Sequence, residues 1–317
     1  MNILVTLTMT ETQRAELEQI DPCAEYFYTK YKSVTREQVQ EANIIIGNVP
    51  PDYIEESAGL KWLQLNSAGT DGYCKPGVLA ESTVLTNASG AYGLAIGEFM
   101  VGLTFALKKN TARYIRNQIN HRWHYEGGVS TVMGSVVLVI GLGDIGMEYA
   151  KRMKALGSHV IGVKRRKSEK PEYVDELYYE EDVDRLLGRA DIVALTMPAY
   201  DKTIGFMKEE RLKKMKESAI LINVGRGSLI DTEDLYRALK EKWIAGAGID
   251  VITPEPLSFE HPLWDLDNLI LTPHVSGGYS IPETLDRIVG IALENRRRLA
   301  VGEPLKNRID FQTGYRV

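Results

Sequence analysis

A chain of 317 residues is too long for one ordinary hydrophobic core and suits two domains of typical size. Its composition, 44% hydrophobic and 26% charged, is that of a globular protein and excludes a fibrous or disordered chain. A net charge of −5 gives no global positive field to collect phosphates, which argues against a nucleic-acid binder; the two cysteines, Cys23 and Cys74, lie in no metal-ligand spacing, so neither a metal site nor a disulfide framework is expected.

The amino terminus, MNILVTLTMTETQ, starts a strand-like run without a basic lead-in, and no stretch of about 18 apolar residues occurs in the chain. No signal peptide and no membrane span are therefore expected, and a cytoplasmic location is. Residues 1–90 alternate short apolar runs with amphipathic, charged segments: ILVTLT then ETQRAELEQI, NIIIGNV then DYIEESAGL, KWLQLN then a glycine-bearing loop. That alternation predicts a parallel sheet covered by helices. Residues 91–120 carry apolar residues at helical spacing and predict one long helix, or two in succession, joining two domains.

A second alternating series follows. VVLVIG (136–141), HVIGV (159–163), DIVALTM (191–197), AILINVG (219–225), AGAGIDV (245–251) and NLILTPH (268–274) read as strands buried on both faces. Amphipathic segments such as MEYAKRMKALG and DTEDLYRALKEK separate most of them. A final helix near 281–300 is followed by a short tail, which predicts that the chain returns to the first domain. The fold class expected is α/β, with two Rossmann-like doubly wound parallel-sheet domains. Domain 95–287 is inserted into a discontinuous, flavodoxin-like domain formed by 1–94 and 288–317.

Gly141, Gly143 and Gly146 in VLVIGLGDIGMEYA have G-x-G-x-x-G spacing. Among 28 glycines a chance match is weak evidence, but here a strand precedes the motif and a helix follows it. The first glycine permits a tight turn, the second lets backbone approach a pyrophosphate, and the third allows close helix–strand packing. The helix terminus then offers free N–H groups to the phosphates. The bland alternative is an ordinary strand–turn–helix junction.

In an NAD site an acid about 20 residues on, at the next strand end, holds the ribose hydroxyls. Lys164 stands there, followed by Arg165, Arg166 and Lys167. Four adjacent cations repel one another unless water or an anion screens them. Guanidinium groups hold a phosphate through paired hydrogen bonds, whereas a carboxylate would repel it. The run is therefore read as a seat for the 2′-phosphate of NADP(H), with NAD(H) as the other candidate cofactor and a solvated turn as the plain reading.

Three later residues follow successive strands: Arg226 in INVGRGSLID, Glu255 in GIDVITPEPL and His274 in LILTPHVSGG. Ligands bind at the carboxyl ends of strands in open α/β sheets. Hydride delivery to a ketone creates an alkoxide that needs a proton, which a histidine supplies near neutral pH. A carboxylate orients that histidine and raises its pKa, and an arginine docks a substrate carboxylate and polarises the adjacent carbonyl. The three make a complete set for interconverting a 2-oxo acid and a 2-hydroxy acid.

With these segments in hand the chain resembles the D-isomer-specific 2-hydroxyacid dehydrogenases, in GLGDIG, NVGRGSLID, DVITPEPL and HPLWDLDNLILTPHVSG, in family order. The resemblance implies that Arg226 binds and polarises substrate, Glu255 supports the histidine and His274 is the general acid/base. It implies that the loop LNSAGTDGY (65–73) holds the substrate carboxylate through the amides of Ala68 and Gly69, opposite Arg226. It also implies cofactor contacts from Asp144, Ile145, Thr196, Thr203, Val224, Asp250, His274 and Gly277, with Asp250 near the nicotinamide carboxamide. Most NAD-using members carry an acid where Lys164 stands, and formate dehydrogenases carry glutamine where Glu255 stands, which argues against formate oxidation.

The expected function is NADP(H)-dependent reduction of a small 2-oxo acid such as glyoxylate or hydroxypyruvate. A phosphoglycerate dehydrogenase is the alternative enzyme, and a dinucleotide-sensing corepressor-like scaffold the alternative without catalysis. A homodimer is expected, with the apolar helix at 91–108 supplying the interface. The aromatic segment HRWHYEGG (121–128) is read as interface packing in preference to a wall of an active site.

Overall fold

The structure is a computed structural model, which describes residues 1–55, 57–70, 72–278, 281–311 and 314. The chain divides into two compact units, one formed by Met1–Tyr92 with Tyr279–Val317 and the other by Gly93–Gly278.

The first unit contains β1 (Asn2–Val5), β2 (Glu25–Tyr28), β3 (Ile44–Ile46), β4 (Trp62–Gln64) and β5 (Val84–Thr86), all parallel, in the order β2-β1-β3-β4-β5. This is the flavodoxin-like order, with the chain reversing direction across the sheet beside β1. The central strands are apolar on both faces: Ile44, Ile45 and Ile46 are all buried. Helix Glu11–Ile20 opens on a capping box, in which Thr10 accepts from the Gln13 amide and the Gln13 side chain accepts from the Thr10 amide. Helix Pro282–Ala300 packs on it, joined by Gln13 to Asp286 (3.0 Å) and Arg296 to Asp21 (2.7 Å).

The second unit contains β6 (Val136–Ile140), β7 (His159–Lys164), β8 (Glu176–Tyr179), β9 (Ile192–Leu195), β10 (Ile220–Asn223), β11 (Gly246–Ile249) and β12 (Leu269–Leu271). They form one parallel sheet in the order β12-β11-β10-β9-β6-β7-β8. The direction of winding reverses between β6 and β9, which is the topological switch point of a Rossmann sheet. Every residue of β9, β10 and β11 is buried, as expected of strands covered on both faces.

Three strands lie outside the runs the sequence marks. Glu25–Tyr28 and Glu176–Tyr179 are four-residue sheet edges, each opened by a glutamate and rich in tyrosine, so they are not marked as buried apolar runs; Val84–Thr86 is too short to give one. The segment 91–120 is two helices, Gly93–Lys108 and Thr111–Ile119, broken where Asn110 takes φ +54. The first buries one face within its own unit and leaves Leu94, Glu98, Val101, Gly102 and Phe105 on a partly exposed side. Ala95, Ile96, Gly97, Met100, Leu103 and Thr104 are buried, with the helix set against helix Asp144–Ala155, β10 and β11. An added Cβ at Gly97 would come within 3.1–3.2 Å of Glu148 and Tyr149, so the glycine is what lets the two helices approach. The expected boundaries at 94/95 and 287/288 fall inside helices Gly93–Lys108 and Pro282–Ala300, each of which stays whole within one unit.

Among the described residues no helix is long and apolar enough to cross a membrane.

Candidate active site

At the carboxyl end of β6 the glycine turn closes tightly. Gly141 takes φ +107, and a Cβ there would lie 2.7 Å from the Met197 amide nitrogen. A Cβ on Gly146 would lie 2.2 Å from the Gly141 carbonyl oxygen, so both positions exclude any side chain. Gly143 differs: a Cβ would meet nothing within 4 Å, and Gly143 is the N-cap of helix Asp144–Ala155 with no side-chain cap. Open space therefore faces uncapped helix N–H groups, an arrangement that fits a dinucleotide pyrophosphate. Ile145, in the first turn, is half-buried. The Asp144 carboxylate is committed inside the protein, where it accepts the Gly93 amide at 2.7 Å.

Lys164 ends β7, and its ammonium donates to Ser168 Oγ at 2.9 Å. Arg165 and Arg166 are exposed, and the Arg165 guanidinium lies 5.6 Å from the Tyr200 ring centroid. Among the described residues none of Lys164, Arg165, Arg166 and Lys167 forms a salt bridge, in a chain where most other arginines do. Their charges are met by a hydroxyl, an aromatic ring and solvent, with no carboxylate paired to any of them among the described residues.

Thr196 and Thr203 hold backbone. Thr196 Oγ1 donates to the Gly141 carbonyl at 2.7 Å, which fixes the glycine turn. Thr203 is 2% exposed and its hydroxyl accepts from the Tyr200 amide at 2.8 Å, so it shapes the 198–206 turn and presents no face to a ligand. Val224 is buried directly after β10.

The arginine loop is moulded by its neighbours. Asn223, fully buried, donates to the Arg226 carbonyl (3.0 Å) and accepts from the Gly225 amide (3.1 Å). A Cβ on Gly227 would lie 2.2 Å from the Ile252 carbonyl, so the arginine loop rests directly on the loop after β11. Arg226 is half-buried and its guanidinium donates to the Gly225 carbonyl at 2.8 Å.

In that next loop Glu255 uses both carboxylate oxygens. One accepts the Ile252 amide at 3.0 Å and the other meets His274 Nδ1 at 3.0 Å. The imidazole and carboxylate remain about half exposed. With Nδ1 donating to Glu255, Nε2 is left to exchange a proton with a ligand. His274 has φ +53, a conformation that side chains other than glycine rarely adopt. Asp250 enforces it. This 1%-exposed carboxylate accepts the Thr272 hydroxyl (2.7 Å) and the amides of Val275 (2.9 Å) and Ser276 (3.1 Å), while its carbonyl accepts the His274 amide (2.8 Å). Its oxygens are thus spent on the histidine loop. Gly277 lies in the following turn, where the Gly278 amide bonds the Val275 carbonyl.

In the first unit, residues 67–69 of the loop engage their carbonyls within the protein. The Ala68 carbonyl accepts from Asn87 (2.6 Å), that of Gly69 from Ser67 Oγ (2.8 Å) and that of Ser67 from the Ala88 amide (2.9 Å). Asn48 and Asn66 exchange side chain-to-amide bonds at its base. Among the described residues the amides of Ala68 and Gly69 meet no acceptor, and Ala68 is exposed. Such a loop can receive an anion.

Sequence reasoning passed over Asn223, the inward role of Asp250, and Gly93, Gly97 and Gly162. A Cβ on Gly162 would strike Leu142, the residue between the first two glycines of the turn. The visible signals were a short amide side chain ending an apolar run, and glycines four apart in a helix.

Comparison with known proteins identifies the family and the fold. The family described as "D-isomer specific 2-hydroxyacid dehydrogenase, NAD binding domain" matches residues 101–276. A glyoxylate reductase of Thermofilum pendens is 32% identical over 265 residues, covering 82% of this chain and 78% of that protein. A D-isomer specific 2-hydroxyacid dehydrogenase family protein of Aeromonas salmonicida has a crystal structure with TM-score 0.85, 28% identity and coverage of 98% and 99% of the two chains. The D-isomer specific 2-hydroxyacid dehydrogenase of Xanthobacter autotrophicus, crystallised with NADPH and MES, gives TM-score 0.81, 26% identity and 99% coverage of both. Glycine turn, arginine loop and histidine–glutamate pair, each following its own strand of a Rossmann sheet, thus accompany membership by sequence: the chain belongs to the D-isomer specific 2-hydroxyacid dehydrogenases, NAD(P)-dependent oxidoreductases.

Proposed function

We propose that this enzyme is an NADP(H)-dependent reductase of small 2-oxo acids such as glyoxylate or hydroxypyruvate. The observation that carries the reading is the His274–Glu255 pair at 3.0 Å, with the Arg226 loop seated on the same crossover. When bound, the nicotinamide exchanges a hydride with the carbon bearing the oxygen. His274 gives a proton from Nε2 to that oxygen as it becomes a hydroxyl, and removes one in the reverse direction. Glu255 keeps Nδ1 protonated and stabilises the imidazolium. Arg226 binds the substrate carboxylate and polarises the carbonyl, while in the first unit the loop of Ala68 and Gly69 is assigned as a carboxylate-binding loop.

Gly141, Gly143, Ile145 and Gly146 hold the pyrophosphate, and Asp144 steadies their helix. Lys164, Arg165 and Arg166 hold the 2′-phosphate, and Gly277 lies along the nicotinamide. Thr196, Thr203, Val224 and Asp250 act by positioning the loops that carry these groups. Two relatives support the reading by their own properties: the Thermofilum protein is named a glyoxylate reductase, and the Xanthobacter enzyme was crystallised with NADPH. A homodimer belongs to the same reading.

The test is kcat/KM for NADPH and NADH against glyoxylate, hydroxypyruvate, pyruvate and a bulkier 2-oxo acid. NADPH should be preferred, and Arg165→Ala or Arg166→Ala should raise its KM roughly 10- to 100-fold, the value of one or two charge-assisted hydrogen bonds, with little change for NADH. Equal efficiency with both cofactors would remove the phosphate assignment. Absence of turnover with every acid and both cofactors would remove the reductase reading.

A further inference from the structure

A cavity of about 220 Å³ opens at the edge of the seven-stranded sheet where strands begin, the end away from the loops of Arg226, Glu255 and His274. Its floor includes Ile220 at the start of β10 and Gly246 at the start of β11. Lys108, the last residue of helix Gly93–Lys108, lines it with 9% of its surface exposed. Arg113, in the first turn of helix Thr111–Ile119, lines it too. Among the described residues neither cation has a carboxylate within ion-pair distance. Asp267, the carboxylate among the lining residues, is already paired with Arg116.

A nearly buried lysine with no carboxylate at ion-pair distance is costly to keep, since a methionine would fill similar space without losing hydration. Burial holds the Lys108 ammonium below the ordinary lysine range; Asp191 offsets this and Lys216 reinforces it. The helix that starts at Thr111 adds to the positive character. Its N-cap, Asn110, makes no side-chain cap bond, so first-turn amides are left without a partner from it. Asn110 instead reaches the carbonyls of Glu126 and Gly128, and the Ser130 amide bonds the Lys108 carbonyl (3.1 Å), which draws the 126–130 segment along the cavity.

We infer that this cavity is a second binding site, separate from the catalytic one, for a small oxyanion held between Lys108, Arg113 and the first turn of helix Thr111–Ile119. Its volume is below the roughly 300–1,000 Å³ of sites for drug-sized ligands, so the ligand is compact: a phosphate, a small phosphate ester or a short dicarboxylate.

The experiment titrates inorganic phosphate, and separately malonate, at constant ionic strength into protein saturated with its reduced nicotinamide cofactor, and follows the melting temperature. Saturating cofactor keeps either anion out of the nucleotide seat. A saturable rise with phosphate alone identifies a phosphoryl ligand, and a rise with both identifies any compact oxyanion. In Lys108→Met and in Arg113→Gln the midpoint should move at least about tenfold to higher anion concentration, with cofactor affinity within twofold of wild type. If Lys108→Met does not fold, Arg113→Gln, on a part-exposed side chain, decides the matter alone. No saturable rise with either anion, or an equal rise in the variants, overturns the inference.

Discussion

His274 is held in a backbone conformation that costs on the order of 1–3 kcal/mol, and the surrounding bonds over-determine it. Glu255 fixes one ring nitrogen while Asp250 fixes the loop from beneath. His274→Ala should lower kcat by about 10²- to 10⁴-fold, the usual value of a positioned general acid, and leave the cofactor Kd within twofold. Glu255→Gln keeps a hydrogen bond but loses the charge that favours the imidazolium, and should lower kcat/KM roughly 10- to 100-fold. Steady-state kinetics with cofactor fluorescence titration separates the two effects, and full activity in His274→Ala would leave the proton with another group. The positions of Arg226, Glu255 and His274 beyond strand ends could be read from sequence because each follows within a few residues of an apolar run whose end a parallel sheet must expose. Asn223 and Asp250 could not be assigned their roles that way. Their bonds run to neighbouring loops that meet only when the sheet closes, and an acid after a strand reads the same whether it faces a ligand or the protein interior.

At the scale of the element, the strand–turn–helix unit of β6 divides its glycines by function. Gly146→Ala would place a Cβ 2.2 Å from a carbonyl oxygen, so the turn must open and the melting temperature should fall sharply or the protein fail to fold. Gly143→Ala meets no atom within 4 Å and its backbone is extended, so the fold should survive with a melting temperature close to wild type. The new methyl group enters the space assigned to the pyrophosphate, and the KM for the dinucleotide should rise about tenfold or more. Thermal denaturation beside cofactor titration distinguishes the two, and an unchanged KM in Gly143→Ala would place the phosphates elsewhere. Strand legibility follows the same physics. β9 and β10 show as unbroken apolar runs because both faces are covered. β8 is an edge strand whose residues are all partly exposed; its Glu176 bonds Arg189 (2.6 Å) and His159 (2.7 Å), which lower the carboxyl's pKa to about 2. With a glutamate opening it and two tyrosines closing it, this strand gives no unbroken aliphatic run.

At the scale of the whole molecule, apolar surface remains where the chain leaves its second helix of the larger unit. Helix Thr111–Ile119 is strongly amphipathic yet buries no residue. Ile115 is 53% exposed, Ile119 72%, Tyr125 72% and Met133 71%, and Trp123 is fully exposed. A helix of nine residues is marginal in water on its own, and exposed apolar side chains along one stretch of chain are candidates for covering by a partner. The proposed homodimer can draw on the partly exposed side of helix Gly93–Lys108, with Leu94, Val101 and Phe105, and on Ile115, Ile119 and Trp123 beyond it. A second copy of the chain suits this surface, as a stable dimer needs about 1,200–2,000 Å² of buried area and large apolar anchors supply most of its energy. The net charge of −5 on each copy opposes association only weakly, since a screening length of about 8–10 Å at physiological salt confines the repulsion. Light scattering on a sizing column should therefore give about twice the 35.5 kDa of one chain at micromolar concentration. Ile119→Asp combined with Trp123→Asp should give a monomer with unchanged far-ultraviolet circular dichroism, because neither side chain contributes to a core. A wild-type protein that runs as a monomer at 100 µM (roughly a hundred times the concentration at which a dimer with Kd near 1 µM forms) would reject self-association as the use of this surface.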